Sequence, residues 1–212
     1  MSRSRNVADF VTPKTAMAVA FGLAVCLSVG IIAALGAERT GIIRALQGSA
    51  RFSFLLFWCA YAGGALAKLF GSRFRILVQY RREFGLGFAA AQSVHLGLVI
   101  WLFRISATPP VAAATFIFFT IATLLMYGLV VFSIPRLQRA IGANTWRRLR
   151  VISLEYISFA FLVDFAFRPL PADAASLLAY LPFVILSVSG TVLRLWAWSR
   201  FDGSSLNKIL IR

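Results

Sequence analysis

The chain is poor in the side chains that carry out chemistry: one histidine, two cysteines and seven acidic residues among 212. Cys26 and Cys59 stand alone, without a CxxC or a nearby His, and each lies midway along an apolar stretch, so both read as packing residues. One imidazole and scattered carboxylates exclude a Ser/His/Asp arrangement and a metal cluster, and no Gly-rich phosphate loop follows a strand pattern. No internal repeat, low-complexity tract or linker interrupts the chain, and residues 1–212 read as one domain.

Apolar residues are what the chain has in abundance. It is 60% hydrophobic and 14% charged, with a mean hydropathy of +0.82, which is far from the range of a soluble globular domain. A helix needs roughly 20 apolar residues to cross ~30 Å of hydrocarbon. Six stretches meet this, at 16–35, 50–69, 84–104, 111–134, 149–168 and 174–197. The expected fold is an all-α integral membrane bundle of six transmembrane helices. The first stretch follows the basic start MSRSR and ends near ALGA, as a secretory signal would, but its apolar run is too long for one.

The formal charge of +15 is distributed by topology. Arg3, Arg5 and Lys14 precede the first stretch; Lys68, Arg73, Arg75, Arg81 and Arg82 fill the second connection; Arg136, Arg139, Arg147, Arg148 and Arg150 fill the fourth; Arg194, Arg200, Lys208 and Arg212 end the chain. These 17 contrast with five on the other side, Arg39, Arg44, Arg51, Arg104 and Arg168. The bias predicts cytoplasmic termini and cytoplasmic even-numbered connections. Such basic loops suit anionic lipid rather than nucleic acid. The connection 135–150, PRLQRAIGANTWRRLR, sets Trp146 among Arg147, Arg148 and Arg150, and is the candidate contact for lipid or a membrane or cytoplasmic protein partner.

His95 lies 13 residues beyond Arg82. That is ~20 Å along a helix, at or just past the bilayer midplane, where an ionisable group points to function or to a bond with a neighbouring helix. Asp164 lies 14 residues beyond Arg150, at nearly the same depth in the fifth stretch, and an unpaired carboxylate there is costly. A His95–Asp164 pair is therefore expected. Glu155 is shallower, with Arg148 and Arg82 as candidate partners. Gly85, Gly87, Gly97 and the AYAGGALA segment suit close helix packing. Trp101, Trp146, Trp196 and Trp198 fall near helix ends as interfacial anchors, and Pro182 is placed to kink the sixth helix.

Two segments resemble a known family. RREFGL followed by His95 is similar to the third helix of the ferric reductase-like transmembrane domain, notably the heme-binding membrane subunit of the bacterial methionine sulfoxide reductase system. AIGANTWRRLRVISLEYISFAFLVDF, 140–165, resembles that family's Gly, Trp and Leu-His signature on the fifth helix. The resemblance implies a multi-pass protein of the inner (cytoplasmic) membrane and heme b ligated by His95. The positions of the partner histidines hold Arg150 and Val163, which cannot act as axial ligands. With a single His the chain cannot build bis-His heme, so no cofactor is the first expectation, with one heme on His95, alone or with Met126, as the other. The family's flavin and NAD(P)H domains follow the last helix, and with few residues after the sixth stretch the resemblance leads to the expectation that any electron donor is a separate protein.

Three functions are compatible with these features. The first is a degenerate ferric reductase-like interaction or scaffolding subunit of a membrane complex, with no catalytic residues. The second is an electron-transfer subunit with one heme. The third is a small transporter or channel relaying protons through His95, Asp164 and Glu155. In the first, Phe88, Phe159 and Phe161 fill the slot that heme occupies in relatives.

Overall fold

The computed structural model describes residues 12–167 and 174–201. Arg3, Arg5, Arg168, Lys208, Arg212 and the 170–173 connection lie outside them. Eight α-helices follow in order: α1 (Pro13–Leu35), α2 (Arg39–Phe70), α3 (Arg75–Gln79), α4 (Arg81–Ile105), α5 (Ala113–Phe132), α6 (Pro135–Ile141), α7 (Ala143–Phe167) and α8 (Ala174–Phe201). A 3-10 turn, Gly71–Phe74, joins α2 to α3, and there is no strand among the described residues. The fold is all-helical.

Among the described residues five helices are long and apolar enough to cross a membrane: α1, α2 with its continuation to Gln79, α4, α5 and α8 from Ala179. The fifth sequence stretch forms α7, 25 residues long, but this helix carries Arg147, Arg148, Arg150, Glu155 and Asp164. Its charges set it apart from the other five.

Helix ends follow local chemistry. Thr12 caps α1 by accepting from the Thr15 amide, with Pro13 at the first helical position. Gly36, Gly71 and Gly142 adopt φ of 88°, 78° and 78° at the ends of α1, α2 and α6, where only glycine is unstrained. Gly41 is required by the turn from α1 into α2, because a Cβ there would overlap the Gly36 carbonyl oxygen.

The chain divides into two compact units, Met1–Phe57 with Tyr80–Ala112, and Trp58–Gln79 with Ala113–Arg212. In the first, α1 packs on α4 through small residues. The buried face of α1 is Ala20, Ala24 and Ser28, and the facing stretch of α4 includes Gly87, Ala89, Ala90 and Ala91. A Cβ on Gly87 would stand 3.3 Å from the Ala20 Cβ, so the glycine sets how closely the two backbones approach. The outward residues are large and apolar: Val19, Phe21, Leu23 and Val29 on α1 are all exposed. Small or polar groups inside and bulky aliphatics outside is the pattern of a protein whose solvent is hydrocarbon.

The second unit repeats this pattern. On α5, Phe116, Ile117, Ile121 and Leu124 are exposed, and on α8 so are Ile185, Val188, Val192 and Leu195. Helix α7 is clamped between these two helices. Tyr156 donates to the Phe118 carbonyl at 3.2 Å, and Phe165 packs on Phe183 with ring centroids 5.3 Å apart. Pro182 lies inside α8, as the sequence indicates.

Candidate functional site

In the first unit, α2 and α4 run antiparallel and meet in layers. Ile42, Ala45 and Leu46 bury against Leu98 at one end, and Phe57 packs on Phe88 at the other, with ring centroids 5.3 Å apart. Two polar layers lie between these apolar ones. Ser49 Oγ is 3.0 Å from His95 Nδ1, and Ser53 Oγ donates to Gln92 Oε1 at 2.8 Å. Spacings of four residues on α2 and three to four on α4 keep each successive pair on one face. Both serines are fully buried.

A serine hydroxyl carries one proton. Ser49 Oγ is also 3.1 Å from the Leu46 carbonyl, an acceptor one turn back on its own helix. With the proton on that carbonyl, the imidazole donates Nδ1–H to Ser49 and keeps its lone pair on Nε2. With the proton on Nδ1's lone pair instead, the tautomer is reversed. Either way the hydroxyl fixes the plane of the ring.

The second unit holds a different polar node, built on α2, α7 and α8. Glu155 accepts from the Tyr61 hydroxyl at 2.6 Å through one oxygen and pairs with Arg194 Nη2 at 2.8 Å through the other. The Arg194 guanidinium lies 4.4 Å from the Tyr61 ring centroid and donates to the Tyr61 carbonyl at 3.4 Å. Because the Tyr61 proton goes to Glu155, Thr191 is the donor in its 3.3 Å contact with the Tyr61 oxygen. One turn away, Trp58 donates to the Leu186 carbonyl at 2.7 Å. Gly190 allows this approach: a Cβ there would stand 3.1 Å from Trp58 Nε1 and 3.2 Å from the Tyr61 ring.

The residues singled out in the sequence thus fall in both units. His95 is half-buried in the first unit, bonded to Ser49, a partner that the sequence reading did not identify. Asp164 is half-buried on α7 in the second. Glu155 is indeed paired, but with Arg194 and Tyr61 rather than the Arg148 or Arg82 anticipated. Trp146 is half-buried near the start of α7, while Arg147, Arg148 and Arg150 are exposed. Met126 is buried on α5, and Cys26 and Cys59 are free thiols. Phe88 is buried against Phe57 and Phe161 stacks on Phe165, whereas Phe159 is 53% exposed and edges onto Phe118. That exposure removes Phe159 from the residues expected to fill an interior slot.

Among the described residues no group of three or more His, Cys, Asp or Glu is placed to hold a metal. No protein-family model matches the chain, and no curated protein and no solved structure matches it.

Proposed function

We propose that the protein is a six-span interaction or scaffolding subunit of a membrane complex, ferric reductase-like in architecture and without bis-His heme. The observation that carries this reading is the Glu155 node: a carboxylate with both oxygens engaged, one by a cation and one by a phenol, is a tie between helices rather than a reactive group. Arg194 also neutralises the charge that Glu155 brings into α7, which lowers the cost of that helix as the sixth span. Its 25 residues extend ~37 Å, enough to cross the hydrocarbon. An even number of spans accounts for the separation of 17 basic residues from five and puts both termini in the cytoplasm. A His95–Asp164 bond belongs to the same proposal.

Topology is checked by reporter fusions. Fusions at 70–80 and 136–147 are expected to report cytoplasm, and fusions at 106–109 and 170–173 the opposite face. An inverted or five-span pattern would remove the orientation and the sixth span together.

The partner surface in this reading is 135–150, where exposed Arg147, Arg148 and Arg150 flank Trp146 without an acidic residue in the segment. Neutralising Arg147 and Arg148 is expected to reduce recovery of a stoichiometric partner severalfold in cross-linked co-purification, with insertion unchanged. Unchanged recovery would place the interface elsewhere.

One observation favours a second reading, an electron-transfer subunit with a single heme b on His95. Imidazoles that ligate metals are oriented through their other ring nitrogen, and Ser49 holds Nδ1 in that way. The donor set does not fit the family's bis-imidazole heme, because the chain has one His, with Arg150 and Val163 at the partner positions. The scaffolding reading therefore stands first.

A further inference from the structure

The connection after α2 is not a simple loop. In a continuous helix Gly63 and Leu77 would be separated by ~21 Å, yet a Cβ on Gly63 would stand 2.7 Å from the Leu77 Cβ. Gly71, at φ 78°, reverses the chain, and the 3-10 turn with α3 returns along the last two turns of α2. With Leu77 facing α2, a period of 3.6 puts Arg75 and Gln79 on the far side and Ile76 and Val78 on the flanks. Arg73, Arg75, Ile76 and Val78 are exposed. Phe70 packs with Phe74 at 6.0 Å and with Trp196 of α8 at 6.3 Å, giving an aromatic platform beside the turn.

Helix length fixes the depth of this fold-back. Arg39 and Lys68 are separated by ~44 Å along α2, which matches the ~40–45 Å between the two headgroup layers. The returning segment, level with Gly63–Phe70, thus lies in one headgroup band. In that band flanking aliphatics suit acyl chains and arginines suit phosphates. From Lys68 to Gln79 the segment has three cations and no acid.

We propose that residues 71–79 form an interfacial hook that binds the phosphate of an anionic phospholipid through Arg73 and Arg75. The occupant is a membrane lipid, selected by charge complementarity and by the exposed flanks of Ile76 and Val78. The site goes beyond the scaffolding role and does not depend on it, nor on which way the protein faces.

The test is native mass spectrometry of the full chain released from nanodiscs of mixed phosphatidylcholine and phosphatidylglycerol. Wild type is expected to retain phosphatidylglycerol over phosphatidylcholine by about tenfold. Arg73→Gln with Arg75→Gln should abolish the preference, and the matching Lys pair should keep most of it. Arg39→Gln with Arg104→Gln, an equal loss of exposed charge outside the hook, should leave it intact. Gly63→Ala, which displaces α3 and keeps every charge, should weaken it severalfold. No preference in wild type, equal loss in the Arg39/Arg104 control, or full preference in Gly63→Ala would each overturn the hook.

Discussion

Replacing Arg194 with leucine is expected to destabilise the protein by about 2–3 kcal/mol, measured as a shift in reversible unfolding in mixed micelles. The change strands Glu155, whose carboxylate loses its cation while still attached to an apolar helix. The magnitude is set at or below the low end for broken buried pairs because the Glu155 side chain is 42% exposed. The reciprocal change, Glu155→Leu, leaves the guanidinium over the Tyr61 ring without its anion and should cost a similar amount. Replacing both with leucine should cost clearly less than the sum of the single changes, because no charge is then left behind. Tyr61→Phe removes one hydrogen bond and should cost about 1 kcal/mol. Additive single changes would show that the two residues do not depend on each other, and the node would lose its role as the tie between α7 and α8.

The second large effect is expected at His95. His95→Leu should cost about 1–2 kcal/mol by the same measurement, since it removes the bond to a fully buried serine. The figure stays modest because Ser49 has a second acceptor, the Leu46 carbonyl, within 3.1 Å. Ser49→Ala in the His95→Leu background should then add little, a non-additivity diagnostic of a shared bond. The same cycle tests the proposed link to Asp164. A coupling of more than ~0.5 kcal/mol between His95→Leu and Asp164→Leu supports it, and strict additivity removes it.

The sequence made the apolar helices legible and left their charged ends obscure. Helix α2 begins at Arg39, well before the apolar stretch from residue 50, because helix propagation needs only a satisfied backbone and tolerates Arg39, Arg44 and Gln47. Ser49, placed at the edge of that stretch, is thereby a buried helical residue facing His95. Its spacing of four from Ser53 was the available sign. Charge counting alone groups Arg194 with the C-terminal tail, although it lies inside the sixth apolar stretch. A basic and an acidic residue at similar depth, Arg194 and Glu155, were a pairing that could have been read. The return of residues 71–79 was hidden because FRILVQY is too short to show a period, and only Gly71 marked the reversal. His95 was found because it is the one imidazole and lies deep in an apolar run; its neighbours depend on the register of α2 against α4, which hydropathy does not encode.

The most direct test of the central claim is one visible absorption spectrum. The detergent-purified protein, expressed with heme available, is recorded oxidised and then after dithionite. A structural subunit without heme gives a flat trace in both states. A Soret band with a sharp α-band on reduction, abolished by His95→Leu, would contradict that account and make His95 the ligand of an electron-transfer subunit.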